Sequence, residues 1–137
     1  MTGLADALQA EHAVVFGYGV VGAHLRGSLR GAGRDAEEAH RKRRDAVLLR
    51  LTDQDVTPPA AEPAYPLPFK VTDSDTAVKL ATHLEEAAAQ VWRAALGPAK
   101  GADRKLCLDA LIDSAVRAAR WRQTAKQPPE ALPGAPG

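Results

Sequence analysis

The residues in this sequence with the clearest capacity for chemistry are three glutamates and one histidine that stand among apolar neighbours. Glu11 and Glu85 each lie within an apolar helical pattern, and Glu37 and His40 form an E-x-x-H pair. The three-residue spacing places Glu37 and His40 on the same face of a helix. A buried carboxylate without a positive partner is strongly unfavourable. We therefore expect these glutamates to be neutralised, either by a metal ion or by cationic side chains.

The sequence predicts four helices that position these residues, at about 3–30, 35–52, 73–96 and 102–126. Gly31-Ala-Gly33 predicts the turn after the first helix, and Asp35 the cap of the second. Positions separated alternately by four and three residues predict the inward faces of a bundle. These positions are Leu4, Leu8, Glu11, Val15, Tyr18, Gly22, Leu25 and Leu29, then Ala36, His40, Val47 and Leu51, and on the fourth helix Leu108, Ile112, Ala115 and Ala119.

Residues 54–71 contain five prolines and therefore predict a long, non-helical crossover. A connection of this length is uncommon in a compact domain, but one class of four-helix bundle uses it to join two helical hairpins. Tyr65, Leu67 and Phe69 are expected to hold it against the bundle. The fold class predicted is all-α, a single bundle over residues 1–126, followed by a disordered Pro/Gly-rich tail at 127–137.

Composition excludes several classes of function. The chain has 137 residues, of which 45% are hydrophobic and 26% charged, and its net charge is +1. This balance is typical of one globular domain and gives no global reason to bind nucleic acid or a membrane. The first residues carry no secretory signal pattern, and the single Cys107 cannot form an internal disulfide. We expect a cytoplasmic protein.

Gly17-Tyr-Gly19-Val-Val-Gly22 matches the G-x-G-x-x-G pattern of dinucleotide-binding turns. Such a site needs a second strand that ends in an acidic residue about twenty positions later, where this chain is highly charged instead. Dinucleotide binding is therefore the remote alternative. The favoured interpretation is helical, with Gly22 allowing close approach of a neighbouring backbone.

The arrangement of these residues resembles the ferritin-like superfamily, nearest to an uncharacterised actinobacterial family of single-domain ferritin-like proteins. The resemblance covers about residues 3–124. Ferritin-like di-iron bundles take one glutamate from each of two helices and E-x-x-H from each of the other two. The resemblance implies metal ligation by Glu11, Glu37, His40 and Glu85. Tyr18, seven residues after Glu11, matches a tyrosine that ferritins often carry.

The fourth helix departs from the superfamily pattern. Asp113-Ser-Ala-Val116 stands where the second E-x-x-H is expected, and valine cannot ligate a metal. Full di-iron chemistry is therefore not expected. Two alternatives remain open. One Fe, Mn or Zn ion is bound by the four residues above, with Asp113 as a fifth candidate, or Arg44 and Arg117 neutralise the carboxylates in a buried network with Tyr18.

Two functions follow from these alternatives. The favoured hypothesis is a non-catalytic scaffold or interaction bundle, which forms a homodimer or binds another protein. The alternative is a protein that binds a single transition-metal ion, with a redox-related role. Trp92 and Trp121 are expected to be anchors in the core or at an interface rather than platforms for a cofactor.

Overall fold

The computed structural model describes residues 3–126, and within that range the chain forms four helices and no strand. The helices are α1 (Gly3–His24), α2 (Leu29–Asp53), α3 (Ser74–Leu96) and α4 (Gly101–Thr124). The predicted all-α fold class is confirmed. The tail predicted to be disordered, 127–137, lies outside the described residues.

The four helices pack as a bundle around one apolar core. Helix α1 packs against both α2 and α3, and α3 packs against α4, whereas α2 and α4 meet along a shorter contact. The other two pairs, α1 with α4 and α2 with α3, have no close backbone contact and face each other across the core. Side chains that reach the centre can therefore bridge helices that do not otherwise touch.

The first turn lies earlier than the sequence predicted. Helix α1 ends at His24 rather than near residue 30, and α2 begins at Leu29. The turn between them uses the positive φ of Gly27, +59°, which glycine adopts without steric cost. Gly31 and Gly33 lie inside α2, as does the predicted cap Asp35. At Gly33 a Cβ atom would lie 2.6 Å from Cδ1 of Leu25, so this glycine serves close packing and not a turn.

Residues 54–73 connect α2 to α3 without a helix and lie against the bundle. Leu67 and Phe69 are partly buried against the apolar core. The ring of Tyr65 lies 5.8 Å from that of Phe16, centroid to centroid. Asp73 then caps α3 by accepting a hydrogen bond from the backbone N–H of Thr76 at 2.8 Å. The predicted crossover thus brings the chain to the other end of the bundle before α3 starts.

Helix α4 presents a different face to the core than the sequence predicted. Leu108 and Ile112, expected inside, are 43% and 53% exposed. The buried positions of α4 are mostly small residues, which allow α4 to lie close to α3, while a tryptophan and a cysteine fill the remaining volume. These residues are Cys107, Ala110, Ser114, Ala118 and Trp121.

The G-x-G-x-x-G segment is continuous helix within α1, so the dinucleotide interpretation is wrong. Gly17 is the glycine that permits close packing, because a Cβ there would lie 2.6 and 2.7 Å from the two methyl carbons of Leu84. The close approach predicted at Gly22 is not observed. Gly22 is exposed, and a Cβ added there would meet no atom within 4 Å.

We predict opposite effects of alanine at two of these glycines. Gly17→Ala forces the buried Leu84 side chain to move and should lower the free energy of unfolding by about 1 kcal/mol or more. Gly19→Ala, for which no atom lies within 4 Å of the new Cβ, should raise the same quantity by about 0.5–1 kcal/mol through helix propensity. Urea unfolding followed by circular dichroism measures both. Equal stabilisation of the two variants would contradict the packing role of Gly17.

Candidate functional site

The centre of the bundle holds an imidazole between two carboxylates. Nδ1 of His40 lies 2.6 Å from Oε2 of Glu11, and Nε2 of His40 lies 2.9 Å from both carboxylate oxygens of Glu85. All three side chains are fully buried. The histidine comes from α2 and the glutamates from α1 and α3, so this one side chain links three helices, including the two that face each other across the core.

The geometry requires a proton between each ring nitrogen of His40 and the carboxylate oxygen that it faces. A neutral imidazole has one N–H, and its other nitrogen is an acceptor, which would face a carboxylate oxygen without a proton between them. Both nitrogens of His40 face carboxylate oxygens, and the ring is an imidazolium when it carries both of these protons. Burial alone lowers the pKa of His40, but its hydrogen bonds and charge interactions with Glu11 and Glu85 outweigh burial and raise that pKa to about 9.

Two aromatic side chains donate hydrogen bonds to the two glutamates, and a third donates to one of these aromatic residues. Nε1 of Trp92 donates to Oε1 of Glu11 at 2.8 Å. The hydroxyl of Tyr18 donates to Glu85 and accepts a hydrogen bond from Nε1 of Trp121 at 3.0 Å. Burial, followed by the negative charge of Glu85, raises the pKa of Tyr18 well above its ordinary value, so the phenol stays protonated.

A second group of charges extends this centre toward α4. Arg43 of α2 lies with Nη1 3.7 Å from Oε1 of Glu11, and its Nη2 donates to Oδ2 of Asp113 at 2.8 Å. Nη1 of Arg43 also donates to the hydroxyl of Ser114 at 3.4 Å. Nε of Arg117 donates to the same oxygen of Asp113 at 2.9 Å. Burial raises the pKa of Asp113, but its bonds to the two arginines give a net lowering.

Together these residues form what we call the buried network. Three carboxylates alternate with three cations, so the charges cancel within the network. In the described part of the chain, every buried side-chain nitrogen or oxygen has a hydrogen-bond partner. The members are Glu11, Tyr18, His40, Arg43, Glu85, Trp92, Asp113, Ser114, Arg117 and Trp121.

Two residues predicted for the site lie elsewhere. Glu37 is 26% exposed and pairs with Arg41, with 3.5 Å between the charged atoms. Arg44, predicted to neutralise the carboxylates, instead pairs with the exposed Asp45. Arg43 and Arg44 are consecutive on α2 and therefore project about 100° apart around the helix axis, one on each side of the direction in which His40 points. Only Arg43 is on the side of α4.

The sequence prediction did not include Arg43, Ser114 or the two tryptophans as members of the network. A signal for Trp92 was present, because it stands seven residues after Glu85 and therefore lies on the same helix face. Trp121 stands in the same relation to Ser114. The choice between Arg43 and Arg44 depends on which neighbouring helix supplies the acid, and the spacing of residues within α2 does not contain that information.

The donor set does not fit a resident metal ion. A metal-bound histidine offers the lone pair of one neutral nitrogen, whereas both nitrogens of His40 are engaged by carboxylates on opposite sides of the ring. Glu37 lies away from the centre, and Asp113 is held by two arginines. Across residues 3–126, no three histidine, cysteine, aspartate or glutamate side chains are grouped as a metal ion would require.

The fold and this site define a class of protein, a four-helix bundle with an internally neutralised ion network in its core. Within that class, the chain belongs to the family described as "Domain of unknown function (DUF4439)", which it matches over residues 3–137.

A solved structure described as a conserved hypothetical protein, rv2844, from Mycobacterium tuberculosis is similar to this chain. The two share 40% sequence identity with a TM-score of 0.86, over 89% of this chain and 93% of that one. Comparison with curated proteins gives no match. Among the described helices, none combines the length and apolar character needed to cross a membrane. The cytoplasmic location stays a prediction.

The protonation of His40 predicts a specific dependence of stability on pH. The folded pKa is about 9 against 6.5 for a free histidine. The bound proton therefore stabilises the fold fully below about pH 6.5, and this stabilisation is lost as the pH rises through about 9. The difference corresponds to about 3 kcal/mol. We expect the free energy of unfolding, from urea titrations at each pH, to fall over this range.

A matched pair of variants separates His40 from other titrating groups. In His83→Gln, which changes an exposed histidine of α3, the fall with pH should be retained. In His40→Gln, the protein should be less stable than the wild type at pH 6, where the imidazolium stabilises the fold fully. A wild-type stability that stays constant or rises over this range would contradict an imidazolium in the core.

Proposed function

We propose that this protein is a non-catalytic scaffold, whose core carboxylates are neutralised by its own histidine and arginines, and that it acts by self-association. The proposal of a non-catalytic scaffold rests on the position of His40. Its ring lies between Glu11 and Glu85 with both nitrogens engaged. A core of this kind holds helices in a fixed arrangement and leaves no open coordination position for a substrate.

We also propose a relationship to the ferritin-like superfamily. Glu11 on α1, His40 on α2 and Glu85 on α3 converge in the core, as the ligands of ferritin-like bundles do. The long crossover between the two hairpins supports the same relationship. In this proposal, an imidazolium and two arginines supply the positive charge that metal ions supply in di-iron bundles, which accounts for the absence of a second histidine at Val116.

The mononuclear-metal alternative rests on the same convergence, but it is the weaker proposal. For His40 to bind Fe, Mn or Zn, one ring nitrogen would have to lose its proton and leave its glutamate. The glutamate it left would then have to become a ligand, while Glu37 and Asp113 stay in their own ion pairs. The scaffold proposal requires no such rearrangement.

The surface that supports self-association is an apolar stripe on α4, formed by Leu108, Ile112 and Val116. These residues are 43%, 53% and 42% exposed and are spaced by four, so they lie on one face of the helix. The stripe is symmetric about Ile112. Two copies of α4 packed antiparallel would therefore place Leu108 of each copy against Val116 of the other, the self-complementary arrangement of a two-fold dimer. A second copy of the chain is the occupant we propose.

Metal content tests the scaffold proposal. We expect protein purified without chelator, from cells grown with added Fe, Mn and Zn, to contain fewer than about 0.1 metal ion per chain, where one full site gives about one. The midpoint of thermal unfolding should be the same with and without EDTA. A stoichiometric ion that EDTA removes, with a fall in the unfolding midpoint, would establish the metal alternative instead.

Sedimentation velocity tests the self-association proposal. The wild type should sediment as a dimer at high concentration, and Ile112→Lys should shift it to a monomer because the charge lies at the centre of the proposed contact. Leu49→Lys provides the matched control, since Leu49 is a 62% exposed leucine on α2, and it should leave the dimer intact. A wild type that is monomeric throughout, or a dimer insensitive to Ile112→Lys, would refute the role of the stripe.

A further inference from the structure

A cleft of about 150 Å³ opens between the start of α2 and the end of α4, outside the centre of the buried network. Pockets that hold drug-sized molecules are usually about 300 Å³ or larger, so any ligand of this cleft must be small. We call it the α2/α4 cleft. Its lining residues are Ala32, Asp35, Arg117, Arg120, Trp121 and Thr124.

Two guanidinium groups line the cleft from one face of α4. Arg117 and Arg120 are three residues apart and therefore project to the same side. Arg117 uses Nε in its hydrogen bond to Asp113. Arg120 is exposed, and its side chain forms no ion pair with any residue from 3 to 126. A pair of guanidinium groups of which one has no acid partner is an arrangement that binds carboxylates and other oxyanions.

The other lining residues restrict the kind of anion. Asp35 contributes a negative charge to the cleft and forms no ion pair in the described range, which disfavours a ligand with two negative charges. Trp121 and Ala32 contribute apolar surface. We propose that the α2/α4 cleft binds a small organic monocarboxylate, whose carboxylate is held by Arg117 and Arg120 and whose apolar body lies against Trp121.

The same cleft is where two branches of the buried network reach the surface. Arg117 leads through Asp113 and Arg43 to Glu11. Trp121 leads through Tyr18 to Glu85. A carboxylate on Arg117 competes with Asp113 for this guanidinium, so binding is transmitted to the core through groups already in contact. The function proposed for the scaffold does not require this site, and the two proposals are tested separately.

Titration of the full chain with benzoate, followed by ¹H–¹⁵N NMR spectroscopy, tests the site. The protein has two tryptophans, Trp92 and Trp121, and so gives two indole N–H signals. We expect the Trp121 signal and the backbone signals of Arg120 and Thr124 to shift saturably, while the signal of Trp92 shifts less. Arg120→Gln should weaken binding by about tenfold or more through loss of one charge-assisted contact. Arg93→Gln, an exposed arginine of α3, should leave it unchanged.

Two further probes fix the chemistry of the ligand. Benzamide, which has the same ring without the charge, should produce no saturable shift. Inorganic phosphate, an oxyanion without an apolar body, should bind more weakly than benzoate. Benzamide binding as well as benzoate would overturn the role of the arginines, and tighter binding of phosphate would overturn the assignment to an organic monocarboxylate. Benzoate shifts that do not saturate, or that saturate with unchanged affinity in Arg120→Gln, would overturn the site itself.

Discussion

The structure depends on one interaction, an imidazolium held between two buried carboxylates. Glu11 and Glu85 are fully enclosed on two different helices, and neither could stay charged there without a cation within bonding distance. His40 supplies that cation to both at once. Trp92 and Tyr18 donate hydrogen bonds to the carboxylate oxygens of Glu11 and Glu85. Arg43 lies between Glu11 and Asp113, so the alternation of negative and positive charges continues to α4. Removing the central proton would leave two negative charges facing a neutral ring in a site closed to bulk solvent.

The fold was largely predictable because its signals are strong and local. The proline-rich segment could not be helical, and the residues around Glu11, His40 and Glu85 repeat with helical spacing, so four helices and a crossover followed directly. The first turn was misplaced because Gly31 and Gly33 resemble a helix end, whereas one of them is needed for packing against Leu25. Gly27, which does adopt a positive φ, is a single glycine and therefore predicts a turn less clearly than Gly31-Ala-Gly33 does.

The site was predictable in its centre and in part of its periphery, where Asp113 and Arg117 were expected and Arg43 and Ser114 were not. Apolar neighbours identify a buried glutamate, and the spacing of His40 from Glu37 drew attention to the histidine, although Glu37 itself faces outward. The other partners on α4, Ser114 and Trp121, depend on which face of that helix is turned inward. Here size misleads, because the large residues Leu108 and Ile112 point outward and the small Ser114 and Ala118 point inward. Close contact between helices favours small side chains, and a hydrophobicity pattern does not register this preference.

The polar attachment of α2 has a consequence for the motions of the bundle. Only five of the 25 residues of α2 are buried, against eleven of the 23 in α3, and α2 has no close backbone contact with α3. Its polar links to α3 and α4 are made by His40, Arg43 and Arg50. Helix α4 also buries five residues, but it makes more close backbone contacts with the other helices than α2 does. We therefore expect α2 to have the lowest free energy of local unfolding of the four helices. Detachment of this helix as a unit is the fluctuation that would hydrate the two central glutamates while α1, α3 and α4 remain associated.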